Sequence, residues 1–290
     1  YLILGHQDLT FTNKKLSLGF TPQNEFEKYY RQYATMSVWK DKEGILWNSF
    51  KGHGLTSWDT KVKALKNYLP PDSFKMPDFT GISEDEHGDL WLININQPGL
   101  IKLNRSTGIF EIKHNAQNNI AGYKFPGYIV SGNGFIYISY HDGIMAYNSL
   151  NGSVKNITMF EGLPSNIITG LFYYNHHLFI STENGWAIMN TGDYTIKVLK
   201  EADGITGNVT AKGYYLDSAN GILYAGGKGN VYKADIQNLL RSNIPTTIVI
   251  NELKVNDTYI SGINTSLQLD HNENNIYFNV SSIDFYSGIN

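Results

Sequence analysis

At 290 residues and 41% hydrophobic, the chain is long enough for one large domain or two smaller ones with real cores. Its 23 basic and 26 acidic residues are mixed along the chain for a formal charge of −3, which leaves no basic face for nucleic acid, and the absence of cysteine excludes disulfide staples and thiolate chemistry without fixing a compartment. No stretch approaches the roughly 20 apolar residues of a membrane helix, and none has the charged start and apolar centre of a signal peptide.

Twenty Tyr, 14 Phe and 28 Gly accompany short apolar runs, a mixture suited to pleated strands and tight turns, so an all-β protein is expected. The opening run YLILG (1–5) reads as the middle of a strand. Tyr1 is therefore not expected to be a natural start, and the chain reads as an excerpt of something longer, which leaves room for processing signals outside it.

Along the chain one pattern recurs: QDLTFTN (7–13), HGLTSWD (53–59), PGLIKLN (98–104), DGIMAYN (142–148), NGWAIMN (184–190) and GNVYKAD (229–235), each ending in Asn or Asp. The terminal positions are separated by 46, 45, 44, 42 and 45 residues. Upstream of the later copies lie the apolar runs ILWNSF (45–50), LWLINI (90–95), FIYISY (135–140), LFISTE (178–183) and ILYAGG (222–227). Turn signals precede them, at DKEG (41–44), DEHG (85–88), GNG (132–134), NHH (175–177) and SANG (218–221). Flanking runs such as ATMSVW (34–39) and VKALKNY (62–68) complete four short strands per period.

Four strands in about 44 residues predict a β-propeller blade, with five full blades and the tail of a sixth at the start. Gly54, Gly99, Gly143 and Gly185 fall where the second strand turns into the third, a place that often demands positive φ. Asp59, Asn104, Asn148, Asn190 and Asp235 are expected to bond nearby backbone N–H groups and open the next turn, rather than to form a ring of ligands. Trp39, Trp47, Trp91 and Trp186 read as core, with Trp58 left open.

The pattern stops near residue 243, after a short helical turn expected within 235–243. The sequence predicts a propeller over 1–243 and a second module over 244–290. There TTIVINELKVND leads to a turn at Asn256–Asp257, and two further strand-like runs surround DHNENN. That suits the start of a β-sandwich, cut short because a whole one needs about 100 residues.

Local catalytic and metal motifs do not emerge. SEDEHGD (83–89) lacks the order of a calcium loop and reads as a solvated hairpin turn, like DKEG one period earlier. His176 and His177 are adjacent, whereas metal ligands on a strand prefer alternate residues; GGKGN (226–230) lacks the P-loop order; no Gly-x-Ser-x-Gly elbow is present. No catalytic residue, metal or cofactor is expected.

The units DEHGDLWLININQPGLIKLN and EGLPSNIITGLFYYNHHLFISTENGWAIMN resemble the two-component-regulator propeller repeat, with its GLP-S-N loop, acidic-Gly turn, aromatic strand and Gly-Leu turn. The segments IPTTIVINELKVND and LQLDHNENNIYFNVSSIDFYS resemble the opening of the Y_Y_Y domain, an Ig-like sandwich that follows such propellers. The resemblance implies the periplasmic sensor region of a hybrid two-component regulator. It would bind an oligosaccharide and signal through the sandwich to a membrane helix and histidine kinase that lie outside this chain, in a homodimer. The chain departs from the repeat at Tyr137 and Phe179, which stand where Trp47 and Trp91 occupy the matching strand.

In a propeller, loops from the second to the third strand emerge on the same face as those joining successive blades, and rigidly held loops are where binding residues concentrate. Sugars stack on aromatic faces and accept hydrogen bonds from polar side chains. His53, Tyr123, Lys124, Tyr140, His141, Asn184 and Lys228 offer that mixture and are the candidate ligand-binding residues. His53 has no counterpart at the matching positions of the other repeats. A secreted propeller lyase or glycosidase, built from scattered side chains, and a protein-interaction propeller are the alternatives.

Overall fold

The computed structural model describes residues 10–11, 14–15, 33–71, 77–94, 99–115, 127–199, 214–217, 219–226, 231–240, 248–260 and 268–282. The chain divides into two compact units, Tyr1–Ala234 and Asp235–Asn290.

The first unit is a succession of antiparallel sheets in chain order. A two-stranded piece, β1 (Thr10–Phe11) and β2 (Lys14–Lys15), comes first. Four four-stranded meanders follow: β3 (Thr35–Lys40), β4 (Leu46–Phe50), β5 (Gly54–Asp59) and β6 (Ala64–Tyr68); β7 (Phe79–Glu84), β8 (Leu90–Asn94), β9 (Gly99–Leu103) and β10 (Phe110–Asn115); β11 (Ile129–Gly132), β12 (Phe135–Tyr140), β13 (Gly143–Asn148) and β14 (Val154–Ile157); β15 (Ile168–Tyr174), β16 (His177–Thr182), β17 (Gly185–Asn190) and β18 (Ile196–Leu199). The fifth sheet holds three strands among the described residues, β19 (Tyr214–Asp217), β20 (Ile222–Gly226) and β21 (Val231–Asp235). The first strands of consecutive sheets, β3, β7, β11, β15 and β19, lie side by side. This is the arrangement of β-propeller blades expected from the period.

Second strands of the second, third and fourth sheets are buried on both faces, which is why they read as continuous apolar runs instead of alternating ones. Leu90 and Leu92 of β8 face the preceding sheet and pack with Trp47, Leu55 and Tyr68, while Trp91 and Ile93 face the following sheet and pack with Ile136, Ile138 and Tyr147. Tyr137 and Ala146 then meet Leu178, Ile180 and Met189. Trp186 meets Tyr214 and Tyr232 of the fifth sheet, at centroid distances of 5.9 and 5.2 Å. At about 2 kcal/mol for each large side chain fully buried, these interfaces outweigh the few inter-sheet hydrogen bonds, which net about 1 kcal/mol apiece. Trp47, Trp91 and Trp186 are core, and Trp58 is buried as well, whereas Trp39 is half-buried.

The residues ending each third strand open the next turn. Oδ1 of Asn104 accepts from Ser106 and Thr107 N–H, that of Asn148 from Leu150 and Asn151, and that of Asn190 from Gly192. Asp235 makes the same bonds to Gln237 and Asn238, but there the chain continues into a helix, α1 (Ile236–Leu240). At the start of the third strands, Gly143 has φ +123°, and a Cβ there would lie 2.5 Å from the Ile157 carbonyl oxygen. Only glycine lets β14 approach that closely.

The acidic turns read as solvated have exposed tips at 42–43 and 86–87, but the aspartate that opens each one is buried. Asp41 and Asp85 are 5% and 7% exposed. Oδ1 of Asp41 accepts from Glu43 and Ile45 N–H and Oδ2 from the Trp47 indole at 2.8 Å; Asp85 does the same with His87, Asp89 and Trp91. Arg105, from the following sheet, donates to Asp41 Oδ2 at 2.7 Å and lies over the Trp47 ring. The third and fourth sheets lack both members of the pair. A tight turn at Asn133–Gly134, both with positive φ, replaces the acidic one. Tyr173 from the next sheet fills the space, so close that a Cβ on Gly132 would fall 2.2 Å from its ring.

The second unit begins with α1 and forms a three-stranded antiparallel sheet in the order β23 (Thr258–Tyr259), β22 (Ile248–Val255), β24 (Ile276–Ser282). The turn expected at Asn256–Asp257 is present, with positive φ at both residues. Of the two later strand-like runs, β24 forms, while residues 268–270 are in no ladder. No described helix is long and apolar enough to cross a membrane.

Two stability predictions follow from the turns. Asp41→Ala should cost about 2–4 kcal/mol in denaturant unfolding and should be non-additive with Trp47→Phe, because the indole and the carboxylate satisfy each other in a buried site; additive losses would contradict the pairing. Gly132→Ala should destabilise by about 1–3 kcal/mol through overpacking, and less when Tyr173→Ala is also present.

Candidate functional site

The strand directions place the second-to-third-strand hairpins and the inter-sheet linkers at one end of the first unit, and hydrogen bonds tie them together. Lys51 N–H donates to the Ala34 carbonyl at 2.9 Å, and Glu183 N–H donates to that of Ile167 at 3.1 Å, so each hairpin is fastened to the residue preceding its own first strand. The linker entering the second sheet contributes Asp78, whose buried carboxylate accepts from Gly52 N–H at 2.6 Å. In three sheets a bulge near the start of the first strand, at 35/37, 79/81 and 168/170, bends the chain where these linkers enter.

The linker 158–167 between the third and fourth sheets is held along its length. Thr158 Oγ1 accepts from Phe160 N–H, while Glu161 Oε2 accepts from both N–H and hydroxyl of Thr158, closing a capping box around the short 3-10 turn Met159–Glu161. The Thr158 hydroxyl and N–H hold the Glu161 carboxyl below its ordinary pKa, so it stays charged at neutral pH. Asn166 Oδ1 accepts from Met159 N–H at 2.8 Å, and Leu163 is buried beneath. On this frame Phe160 is 99% exposed and Met159 more than half exposed. One end of the linker lies against Gly143, the other receives the Glu183 N–H, and so it spans the hairpin tips His141–Asp142 and Glu183–Asn184.

The candidate residues separate on this frame. His141 and Asn184 are exposed at hairpin tips, with Asn184 N–H on Thr182 Oγ1. His53 is half-buried, its ring 3.6 Å from the Tyr33 ring centroid. Tyr140 is corrected from loop surface to core: it is 3% exposed and packs among Ile93, Ile138 and Met145, because it is the last residue of β12 and its side chain alternates inward. Tyr123, Lys124 and Lys228 lie outside the described residues. Sequence reasoning missed Phe160, since an apolar residue in a linker carries no signal that distinguishes it from a core anchor such as Leu163.

A second feature lies between the sheets. The first strands line a half-open pocket of about 430 Å³, with Trp39, Ser83, Tyr128, Ser131, Phe172 and Tyr214 among its walls. Ser83 and Ser131 hydroxyls lie 2.9 Å apart, and Ser131 also donates to the Glu84 carbonyl. Burial raises the Tyr214 phenol pKa above its ordinary value, so the wall it offers is neutral. At the opposite end, Arg105 gathers Asp41, Glu43 and Glu84 into one charge network, beside an open pocket of about 650 Å³ that Lys42, Glu86 and His87 also line.

No family model matches the chain, and no curated protein matches it. Solved structures do. The extracellular domain assigned to one hybrid two-component system of B. thetaiotaomicron matches with 19% identity and a TM-score of 0.62, covering 92% of this chain and 38% of that one. A second such domain from the same organism gives 20% identity and 0.58 over 79% of this chain and 32% of that one. Virginiamycin B lyase from Staphylococcus aureus, solved with quinupristin, gives 16% and 0.54 over 76% and 75%. The likeness is one of fold. The chain spans about a third of the length of the two-component domains it matches.

The capping box predicts local order. Thr158→Val should raise amide hydrogen exchange at Met159–Gly162 by roughly five- to thirtyfold, corresponding to a cap worth about 1–2 kcal/mol, while leaving β12–β17 protected; uniform loosening of the unit would contradict this assignment.

Proposed function

We propose that this chain is a ligand-sensing part of the extracytoplasmic region of a hybrid two-component regulator, and that it binds an oligosaccharide on the end of the propeller carrying the linkers and hairpin tips. The observation that carries the reading is the match over 92% of the chain to the extracellular domain assigned to a hybrid two-component system, a share that the first unit alone does not supply. The order of elements, propeller sheets and then a further antiparallel sheet, agrees with a Y_Y_Y-type sandwich beginning in the second unit.

The face itself suits a sugar. His141, Asp142, Glu183 and Asn184 are exposed hydrogen-bonding groups on short hairpins, spanned by the linker that carries the exposed ring of Phe160. Sensing needs no chemistry at the site. It needs the saccharide to bind one arrangement of the sensor more tightly than another, so that occupancy shifts a population, here in a homodimer whose kinase lies outside this chain.

The propeller lyase among the structural matches supplies the competing reading. Calorimetric titration with plant, fungal and host oligosaccharides, run beside reducing-end and unsaturated-product assays, separates the two. Saturable binding with no product is expected; turnover abolished by His141→Ala or Glu183→Gln would replace the sensor by an enzyme.

A further inference from the structure

The linker between the third and fourth sheets uses most of its polar groups to hold one apolar side chain in solvent. Phe160 is 99% exposed at the tip of a turn whose N–H groups, threonine hydroxyl, glutamate and asparagine are all engaged in fixing the backbone. A floppy loop would let such a ring fold back onto the surface; this one is anchored by Leu163 beneath and by Gly162 in the left-handed region, φ +111°. The backbone that carries the ring is therefore pre-positioned, so that only the rotamer freedom of the side chain itself is left to lose on binding.

We infer that Phe160 is the stacking platform of the saccharide site, and that this site takes neutral sugars rather than uronic or sulfated ones. The inference rests on the reading of this face as a glycan site and deepens it. A pyranose offers an apolar C–H face surrounded by hydroxyls, which complements an uncovered aromatic ring with hydrogen-bonding groups to its sides. Here those groups are the hairpin tips that the linker spans, His141–Asp142 and Glu183–Asn184.

The charge decides the class. Residues 141–142, 158–167 and 183–184 contain Asp142, Glu161 and Glu183 and no Lys or Arg, and one cation nearby, Lys155, lies over the Tyr194 ring and within electrostatic reach of the Glu161 carboxylate. A carboxylated or sulfated sugar on Phe160 would meet the carboxylates of Asp142, Glu161 and Glu183, and like charges at close range oppose binding. The size of the apolar patch favours a sugar over a protein. Among the described residues of the linker the exposed apolar side chains are Phe160, Met159 and an edge of Ile167, whereas a stable protein interface covers about 800 Å² on each partner.

The test uses the chain together with F160A and F160W, titrated with maltohexaose, cellohexaose, mannohexaose, xylohexaose and chitohexaose, and with hexagalacturonate and a heparin hexasaccharide. A neutral oligosaccharide is expected to bind. F160A should weaken it on the order of tenfold or more with an unchanged melting temperature. F160W should retain the affinity and report the ligand by a blue shift of its added indole emission. A neutral glycan bound equally well by F160A, or selective binding of the anionic ligands, overturns this inference and leaves the sensing reading standing. Binding of none of the seven removes both. Self-association of the chain that F160A abolishes in sedimentation would assign the ring to a contact between copies and overturn the stacking role.

Discussion

The second strand of each of the first four sheets buries both of its faces, and the rest of the first unit depends on that constraint. Leu92 and Ile93 are neighbours in sequence and point into two different interfaces, each completed by the adjacent sheet. A sheet built this way has no solvent face to fall back on, so its stability is inseparable from the neighbour on either side. The same constraint explains the steady period. Each repeat must deliver one two-sided sheet and one linker at the same end before the next sheet can pack, and an insertion is absorbed in the linkers rather than in the strands.

With the sheets fixed by burial, the two ends of the unit are free to differ. One end is stitched together: Arg105 reaches across to the buried Asp41, which also holds the Trp47 indole. Where tryptophan is replaced by Tyr137, the aspartate goes with it and Tyr173 covers the bare Gly132. These are alternative solutions to the same packing problem. The other end carries the short hairpins and the linkers, and among the described residues there His141, Asp142, Glu183, Asn184 and Phe160 present their side chains to solvent. A recognition surface belongs at the end where the side chains are not already committed to holding the sheets together.

The sequence made the sheets legible because burial on both faces writes itself as apolar runs, and because a residue in a fixed turn must have the right short side chain. Asn104, Asn148 and Asn190 were readable as turn openers for that reason, and their Oδ1 atoms accept from the backbone as expected. Legibility failed where composition does not determine depth. Asp41 and Asp85 read as exposed acids, since the indole N–H that holds each one six residues later makes no local pattern. Tyr140 reads as a loop aromatic because it borders His141, yet strand alternation turns it inward. Phe160 has the converse difficulty: the linker that carries it also carries Leu163, and a linear sequence does not say which of the two is the anchor and which is presented.

The central claim is that recognition happens on the linker face and not in the pocket between the first strands. Hydrogen-exchange mass spectrometry of the chain, free and saturated with its best-binding oligosaccharide, tests it most directly. The account predicts added protection confined to 141–143, 158–167 and 183–185. Protection centred instead on Tyr128–Ser131 and Gly170–Tyr173, the strands lining that pocket, would contradict it.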